Sequence, residues 1–506
     1  RLRSSDVDSA GHQLPHARLT RDPYTLGIAS GQPRPGSVVL WTRLAPQPHA
    51  PGGGMDPRPV RMRWQVAHDP TFSRIAREGE VTARPELAHS VRVTVDRLTP
   101  GRVWYYRFIT DGIASPVGRT RTAPPLHSDP ARLRLALASC QHYEHGHYAA
   151  HREIAQTDLD LVLFVGDYIY DSSNPNFLRR PHEAGDPFTL DDYRARHATY
   201  KLDLNLQAAH AAHPWIVTWD DHEARNDYAS AWATADLSAA EFVQVRAAAY
   251  QAYFEHLPLA ADQLPGAAGT PGAVRMQDRH SWGRLADIWT LDNRQHRSLH
   301  ACARGNVAEG HLLWHCAELA DPGRTMWGAA QEQWLQQGLS SSPRRWKLIA
   351  QATQMSACGL AQAGQQLINS DGWDGYPAAR TRLLQHLADT GTQNAVVLSG
   401  DVHRHAAANL RLQANDPRSA VLASEFVTTS ITSRGMAQHW MELIQRSNPD
   451  LLHARSDERG YSLIEISNQS LHWIARATAF PVTEDAVLTT QASYTVEAGR
   501  AGPQAG

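Results

Sequence analysis

Asp160-Leu-Val-Leu-Phe-Val-Gly-Asp-Tyr-Ile-Tyr-Asp171 is the stretch whose reading decides the fold. Residues 161–165 are aliphatic or aromatic without a break, too short a run for a typical helix and rich in strand formers. A strand of this kind is buried on both faces, as in a parallel sheet covered by helices. Gly166 lets the backbone turn sharply at its carboxyl end. Asp167, Tyr170 and Asp171 follow at once, three groups able to bind a hard cation. In open α/β sheets, ligands bind in the crevice beyond the carboxyl ends of the strands. On this segment alone, an ordinary polar turn accounts for the pattern equally well.

Three further stretches repeat it. Trp215-Ile-Val-Thr-Trp219 runs into Asp220, Asp221, His222, Glu223 and Asn226. Ala395-Val-Val-Leu-Ser399 runs into Gly400, Asp401, His403 and His405, and residues 133–138 run into Ser139, Cys140, Gln141 and His142. Packing gives no reason for four apolar strands each to end in Asp, His, Asn or Cys. A shared metal site does.

The 506-residue chain is long enough for two or more domains and a large core. Its formal net charge of −2 and the absence of a basic tract give no electrostatic footprint for nucleic acid. No stretch reaches the roughly 20 apolar residues of a membrane helix. A start at Arg1 on a polar segment is compatible with a mature, exported protein. Cys302 and Cys316 flank one loop and form either a disulfide, which needs an oxidising compartment, or two buried thiols.

Residues 24–125 read as all-β, with short alternating or β-branched runs at 37–44, 60–66, 90–95 and 103–110. Leu98-Thr-Pro-Gly-Arg-Val-Trp-Tyr-Tyr106 resembles the turn into a strand of fibronectin type III and immunoglobulin-like domains. Tyr105 or Tyr106 would tie that corner, and Trp41 or Trp64 would fill the core. Residues 121–127 are the linker. Beyond it strand and helix alternate. Helices are expected at 147–156, 191–212, 331–339 and 379–388. The first lies in a right-handed βαβ unit, and the capping box Ser238-Ala-Ala-Glu241 opens another that runs to about His256. Residues 259–270 read as a surface loop. Strands are expected at 284–291, 346–352, 425–432 and 461–466, and a disordered tail at 500–506.

Asp167 and Tyr170 lie three apart past one strand, so a carboxylate can bridge two cations while a phenolate binds one. Phenolate and thiolate (Cys140) are poor ligands for Mg2+ or Ca2+ and strong ones for Fe3+, and His403 can add an imidazole there. Asn226 and Asp401 offer the neutral and anionic oxygen that suits Ca2+. Two metals about 3.5–4 Å apart are a known device for in-line displacement at phosphorus. Asp220 and Asp221 read as groups orienting His222 and Asn226. Arg225 and Arg294 are candidates to bind phosphate, Gln354 to reach the calcium side, and His142, His145, His147 and His151 read as a solvated cluster.

The chain resembles the PhoD family of alkaline phosphatases and phosphodiesterases, which are secreted metallophosphoesterases. The resemblance rests on Ala29-Ser-Gly-Gln32 with Ser37-Val-Val-Leu-Trp-Thr-Arg43, Ala138-Ser-Cys-Gln141, Val165-Gly-Asp-Tyr-Ile-Tyr170 and Thr218-Trp-Asp-Asp-His-Glu223. It continues with Leu291-Asp-Asn-Arg-Gln295, Asp371-Gly-Trp-Asp-Gly-Tyr-Pro377 and Leu398-Ser-Gly-Asp-Val-His403. It implies Fe3+ held by Cys140, Asp167, Tyr170 and His403, with Asp167 bridging to Ca2+, which also takes Asn226 and Asp401. It implies hydrolysis of phosphate mono- and diesters by a metal-activated hydroxide, with Asp167, His222 (a proton donor to the leaving group), Asn226 and Arg294 as catalytic groups. His296 and the Arg404-His405 pair depart from the family pattern.

The expected architecture is α/β. A polar segment (1–23) precedes a fibronectin-III/immunoglobulin-like β-sandwich (24–125), an α/β/β/α metallophosphoesterase sandwich (126–499) and the tail. The expected protein is a periplasmic or secreted monomer. Two other readings use the same residues: a phospholipase D-like phosphodiesterase, and a non-catalytic surface-binding protein with a structural metal site.

Overall fold

A computed structural model describes residue 19, residues 21–263 and residues 274–506. The expected segment 1–23 falls almost wholly outside these, as does most of the expected loop at 259–270. Two sheets stack at the centre. In the first, Leu133–Ala138, Leu161–Val165, Pro214–Thr218 and Ile28–Arg34 lie parallel and adjacent in that order. Antiparallel strands extend both edges: Glu458–Ile466, Ser470–Ala479, Thr489–Glu497 and Gln504–Ala505 on one side, Ser37–Arg43 and Ser90–Val95 on the other. The second sheet runs Asp278–Trp282, Ala286–Thr290, Trp346–Thr353, Ala395–Gly400, Val421–Val427, His405–Arg411 and Leu451–Arg455.

The uninterrupted apolar strands are explained by this stacking. Along Leu161–Val165, Leu161, Leu163 and Val165 face the core between the sheets, with Leu348, Leu398 and Phe426 opposite. Val162 and Phe164 face the other way, onto a layer with Ile154, Leu206 and Phe242 from covering helices. Ile349 and Val397 likewise meet Leu335 and Leu383 on the far side of the second sheet. Each fully buried Leu or Val here contributes roughly 1.5–3 kcal/mol. The result is helix, sheet, sheet, helix.

The N-terminal region is built of strands, but not as a free-standing unit. One of its layers pairs Ile75–Ala83, Val60–Ala67, Val103–Thr110 and the short Ile113–Ala114 and Gly118–Arg121 strands. The other layer is Ile28–Arg34, Ser37–Arg43 and Ser90–Val95, which belong to the central sheet. Tyr106 is buried as expected, lying over Gly118. Trp104 is the fully buried tryptophan of this core, with the expected Trp64 packed half-buried against it. Trp41 instead packs on Ala198, and its indole N–H donates to Glu255 O at 2.8 Å.

Three local expectations need correction. The helix expected at 191–212 is two, Leu190–Lys201 and Leu204–Ala212, because the Asp203 carboxylate caps the second by accepting from Asn205 and Leu206 N–H. The tail expected to be disordered is ordered: Gln504–Ala505 pairs with Thr489–Glu497, and the Gly502 N–H donates to Ser424 Oγ at 2.9 Å. Ala123 of the expected linker lies in the core between the sheets. The Ser238–Glu241 capping box forms as expected, opening Ala239–His256.

Candidate metal centre

The four strands singled out above deliver their polar ends to one place. Gly166 adopts φ 113°, and a Cβ there would sit 2.7 Å from Asp220 Cβ, so the turn after Leu161–Val165 requires glycine. Cys140, Asp167, Asp401 and His403 have φ values of 58°, 58°, 66° and 53°. Left-handed backbone costs a non-glycine residue on the order of 1–3 kcal/mol and collects at functional sites. Here it falls on four of the six expected metal ligands.

Cys140 Sγ lies 3.3 Å and Tyr170 Oη 3.2 Å from Asp167 Oδ2, and Tyr170 Oη lies 3.3 Å from His403 Nε2. The His403 Nδ1–H donates to Arg434 O at 2.7 Å, which leaves Nε2 as the acceptor nitrogen. Burial, reinforced by Asp167, pushes the Cys140 thiol and the Tyr170 phenol well above their ordinary ranges. Burial lowers His403 to about 3, keeping the imidazole neutral.

Asp167, Asp220 and Asp401 bring carboxylate oxygens within 4.8 Å of one another, as do Asp167 and Asp221 with a ring nitrogen of His222. Burial, with Asp221 and Asp371 nearby, raises Asp401 to about 7. Among the described residues, Asp167 Oδ1, Asp220 Oδ2 and Asp221 Oδ1 are buried without a hydrogen-bond partner. Unpartnered buried carboxylate oxygens are costly, and several converging on one point suit cations. Asp220 and Asp221, expected only to orient others, therefore join the candidate ligands.

His222 Nδ1 lies 2.7 Å from Asp171 Oδ1. Burial pulls the His222 pKa down, but Asp221, Asp167 and Asp171 outweigh it and hold the group well above its ordinary value. Asp171 is thus occupied with orienting His222. Asn226 is exposed, and its backbone N–H donates to Asp171 Oδ2 at 3.3 Å.

Arg294 corrects an expectation. It is fully buried, with Nε donating to Asp220 Oδ1 at 2.6 Å and the two terminal nitrogens donating to Asp371 at 2.8 Å each. It supports the carboxylates from behind, its remaining terminal N–H facing Asp221 Oδ1 at 3.6 Å. Arg225 is also buried, stacked 4.2 Å from the Phe188 ring and donating to Pro187 O. Gln354 is buried with Oε1 unpartnered, next to Thr353, whose hydroxyl bonds Asp401. The histidines expected to be solvated are buried at 142, 145 and 151. His142 stacks on His145 at 3.9 Å and lies 4.3 Å from the Tyr170 ring, while His151 bonds Gln141 Oε1 at 2.7 Å.

Two contributors escaped the sequence reading. Ser433 Oγ lies 2.7 Å from Tyr170 Oη and 2.9 Å from Cys140 O. Its signal was the run Thr428-Thr-Ser-Ile-Thr-Ser433, hydroxyls in close succession after an apolar strand. Asp371 anchors Arg294, and also accepts from Arg297 at 2.7 Å and bonds His300 Nε2 at 2.7 Å. Its presence in a quoted motif was visible, its partners were not.

Fold and site together define an α/β/β/α sandwich with a cluster of candidate metal donors at the strand ends. The PhoD-like phosphatase family profile matches residues 135–474, and that of the PhoD-like phosphatase N-terminal domain matches residues 9–124. Alkaline phosphatase D of Bacillus subtilis (strain 168) is 40% identical over 488 residues, 95% of this chain and 82% of that protein. A solved structure described as that of PhoD superposes with a TM-score of 0.91 at 39% identity, covering 97% of this chain and 93% of the other. The chain belongs to the PhoD-like phosphatase family.

Proposed function

We propose that the protein is an exported, monomeric alkaline phosphatase and phosphodiesterase, hydrolysing phosphate mono- and diesters at an Fe3+/Ca2+ centre. The observation that carries this reading is the meeting of a buried thiol, phenol and carboxylate at Cys140, Tyr170 and Asp167 with the half-buried imidazole of His403. Thiolate and phenolate favour Fe3+, and the carboxylate oxygens of Asp401, Asp220 and Asp221 favour Ca2+, to which Asn226 would add a neutral oxygen. Asp167 lies in both groups and is the candidate bridge. Bound there, the cations would supply Lewis acidity toward phosphoryl oxygens.

The chain's own residues do the rest. Asp171 holds the His222 ring by Nδ1, so Nε2 is the atom placed to hand a proton to the leaving oxygen. The surrounding carboxylates favour the protonated His222 ring. Arg294 fixes Asp220 and balances the acidic side without touching substrate. The Cys302–Cys316 disulfide supports an oxidising compartment. Among the described residues no helix is long and apolar enough to cross a membrane.

Elemental analysis of the purified protein, with rates on a chromogenic monoester, a bis-ester and a phospholipid, tests the reading. Iron and calcium with rapid monoester and diester turnover are expected. Absence of both metals from active enzyme would overturn the centre, and a strict phospholipid preference would replace the substrate class.

A further inference from the structure

We propose that the disulfide-closed segment 302–316 is a brace for the acidic side of the centre, and that Asp227 is the positioning residue through which it acts. The inference rests on the metal-centre reading given under Proposed function. Cys302 and Cys316 are bonded, and the Cys302 N–H is pinned to Glu318 Oε2 at 2.8 Å. From the closed loop, the Ala308 N–H donates to Ala233 O at 2.8 Å and the Gly310 N–H donates to Asp227 Oδ2 at 2.8 Å. Leu312–Leu313 then pairs with Gln365–Asn369, the strand leading to Asp371.

The approach at Gly310 is too close for a side chain. A Cβ there would stand 2.9 Å from Asp371 Cβ and 3.0 Å from Asp227 Oδ2. The loop is therefore docked on the two acidic residues rather than merely passing them.

Asp227 joins this loop to the site. Its carboxylate takes the Gly310 N–H, while its own N–H donates to Asp221 Oδ2 at 2.6 Å. It does so in left-handed backbone, φ 57°, a conformation an aspartate adopts only at some cost. Without the carboxylate's anchor, the backbone is free to relax and withdraw the N–H from Asp221. The other Asp221 oxygen, buried without a hydrogen bond and 3.6 Å from an Arg294 terminal nitrogen, is the one counted among the candidate ligands. Asp221 is thus aimed by a hydrogen bond that the disulfide loop keeps in place. A loop that were only a surface staple would affect stability and leave the site's geometry alone.

Three variants separate these cases: Asp227→Ala, Asp227→Asn, whose side-chain carbonyl still accepts the Gly310 N–H, and the Cys302→Ser/Cys316→Ser double variant. Hydrogen exchange on chelated protein reads the brace without any metal. Exchange across residues 221–228 is expected to rise in Asp227→Ala and in the double variant, with residues 161–165 still protected. Calorimetric titration with calcium is expected to show affinity reduced by about 10–100-fold in Asp227→Ala, the range for a group that orients a ligand. Asp227→Asn should recover most of that loss, and the visible iron–phenolate band should persist in all three.

Unchanged exchange at 221–228 in both Asp227→Ala and the double variant would overturn the brace. Raised exchange with wild-type calcium affinity would overturn the positioning role. Should Asp227→Ala lose protection at 161–165 as well, it has not folded, and the double variant decides by the same two readouts. A wild-type protein that takes up no calcium would sink the metal reading instead, and exchange alone then judges the brace.

Discussion

Around Cys140, Tyr170 and His403 the protein sets donors that are neutral in their own surroundings, whereas around Asp220, Asp221 and Asp401 it sets carboxylates against a buried guanidinium. On the first side, burial holds thiol and phenol protonated, so only a strongly polarising cation turns them into good ligands. On the second side, Arg294 supplies part of the counter-charge in advance, with Asp371 gripping it from behind. On the proposed reading, one half would be completed by its metal and the other is organised before a metal arrives. A site built this way should lose its two cations independently, except through the residue that lies in both halves.

That residue is Asp167, and the largest effect is expected there. Asp167→Asn keeps the shape and removes the charge, so activity should fall by more than about 100-fold, beyond what loss of an orienting group costs. Iron and calcium content should drop together while the melting transition survives. Retention of both metals with a loss under tenfold would mean the halves do not share a bridge.

Arg294→Met comes next and probes the preorganised half. It leaves Asp220 buried without its partner and Asp371 held by Arg297 and His300 alone, which should cost about 3–5 kcal/mol in a denaturant melt. The matching cut on the other half, Ser433→Ala, removes a neutral hydrogen bond to Tyr170 and should cost about 0.5–1.5 kcal/mol. Equal costs would erase the contrast.

Tyr170→Phe should bleach or strongly shift the visible band of the iron-loaded protein, with calcium affinity little changed. Loss of calcium alongside the colour would show that the halves are coupled beyond Asp167.

The last effect lies away from both. Burial alone lowers Lys201, set against the Trp41 ring at 4.1 Å, to about 7. Between pH 7 and 10 the unfolded chain then holds a proton that the folded one does not. Stability from this group rises with pH by up to about 1.4 kcal/mol per unit. Lys201→Met should flatten that slope in melts across this range.

The strands and the ligand set were legible because both are local. An unbroken apolar run such as Leu161–Val165 can hardly be anything but a doubly buried strand, and its polar end is the next residue along. What stayed hidden depends on distant partners. Arg294 reads as a free cation until Asp371 is seen to hold it. His142 and His145 read as surface groups until their rings are found stacked beside Tyr170. The break at Asp203 was locally readable, an Asx cap inside an otherwise helical stretch, and was outweighed by the helix formers around it. Ile28–Arg34 was not among the expected strands, and nothing near it announces that it pairs with Pro214–Thr218.

That pairing decides how the molecule can be taken apart. Because Ile28–Arg34 lies parallel against Pro214–Thr218, the N-terminal region closes the flank of the sheet that carries the chemistry. A fragment starting at residue 126 would leave the Pro214–Thr218 strand with a row of unsatisfied N–H and C=O groups on apolar backing, the template on which chains stick to one another. What looks in the sequence like a detachable module is the selvedge of the catalytic cloth, and cutting it off should yield aggregate rather than a smaller enzyme.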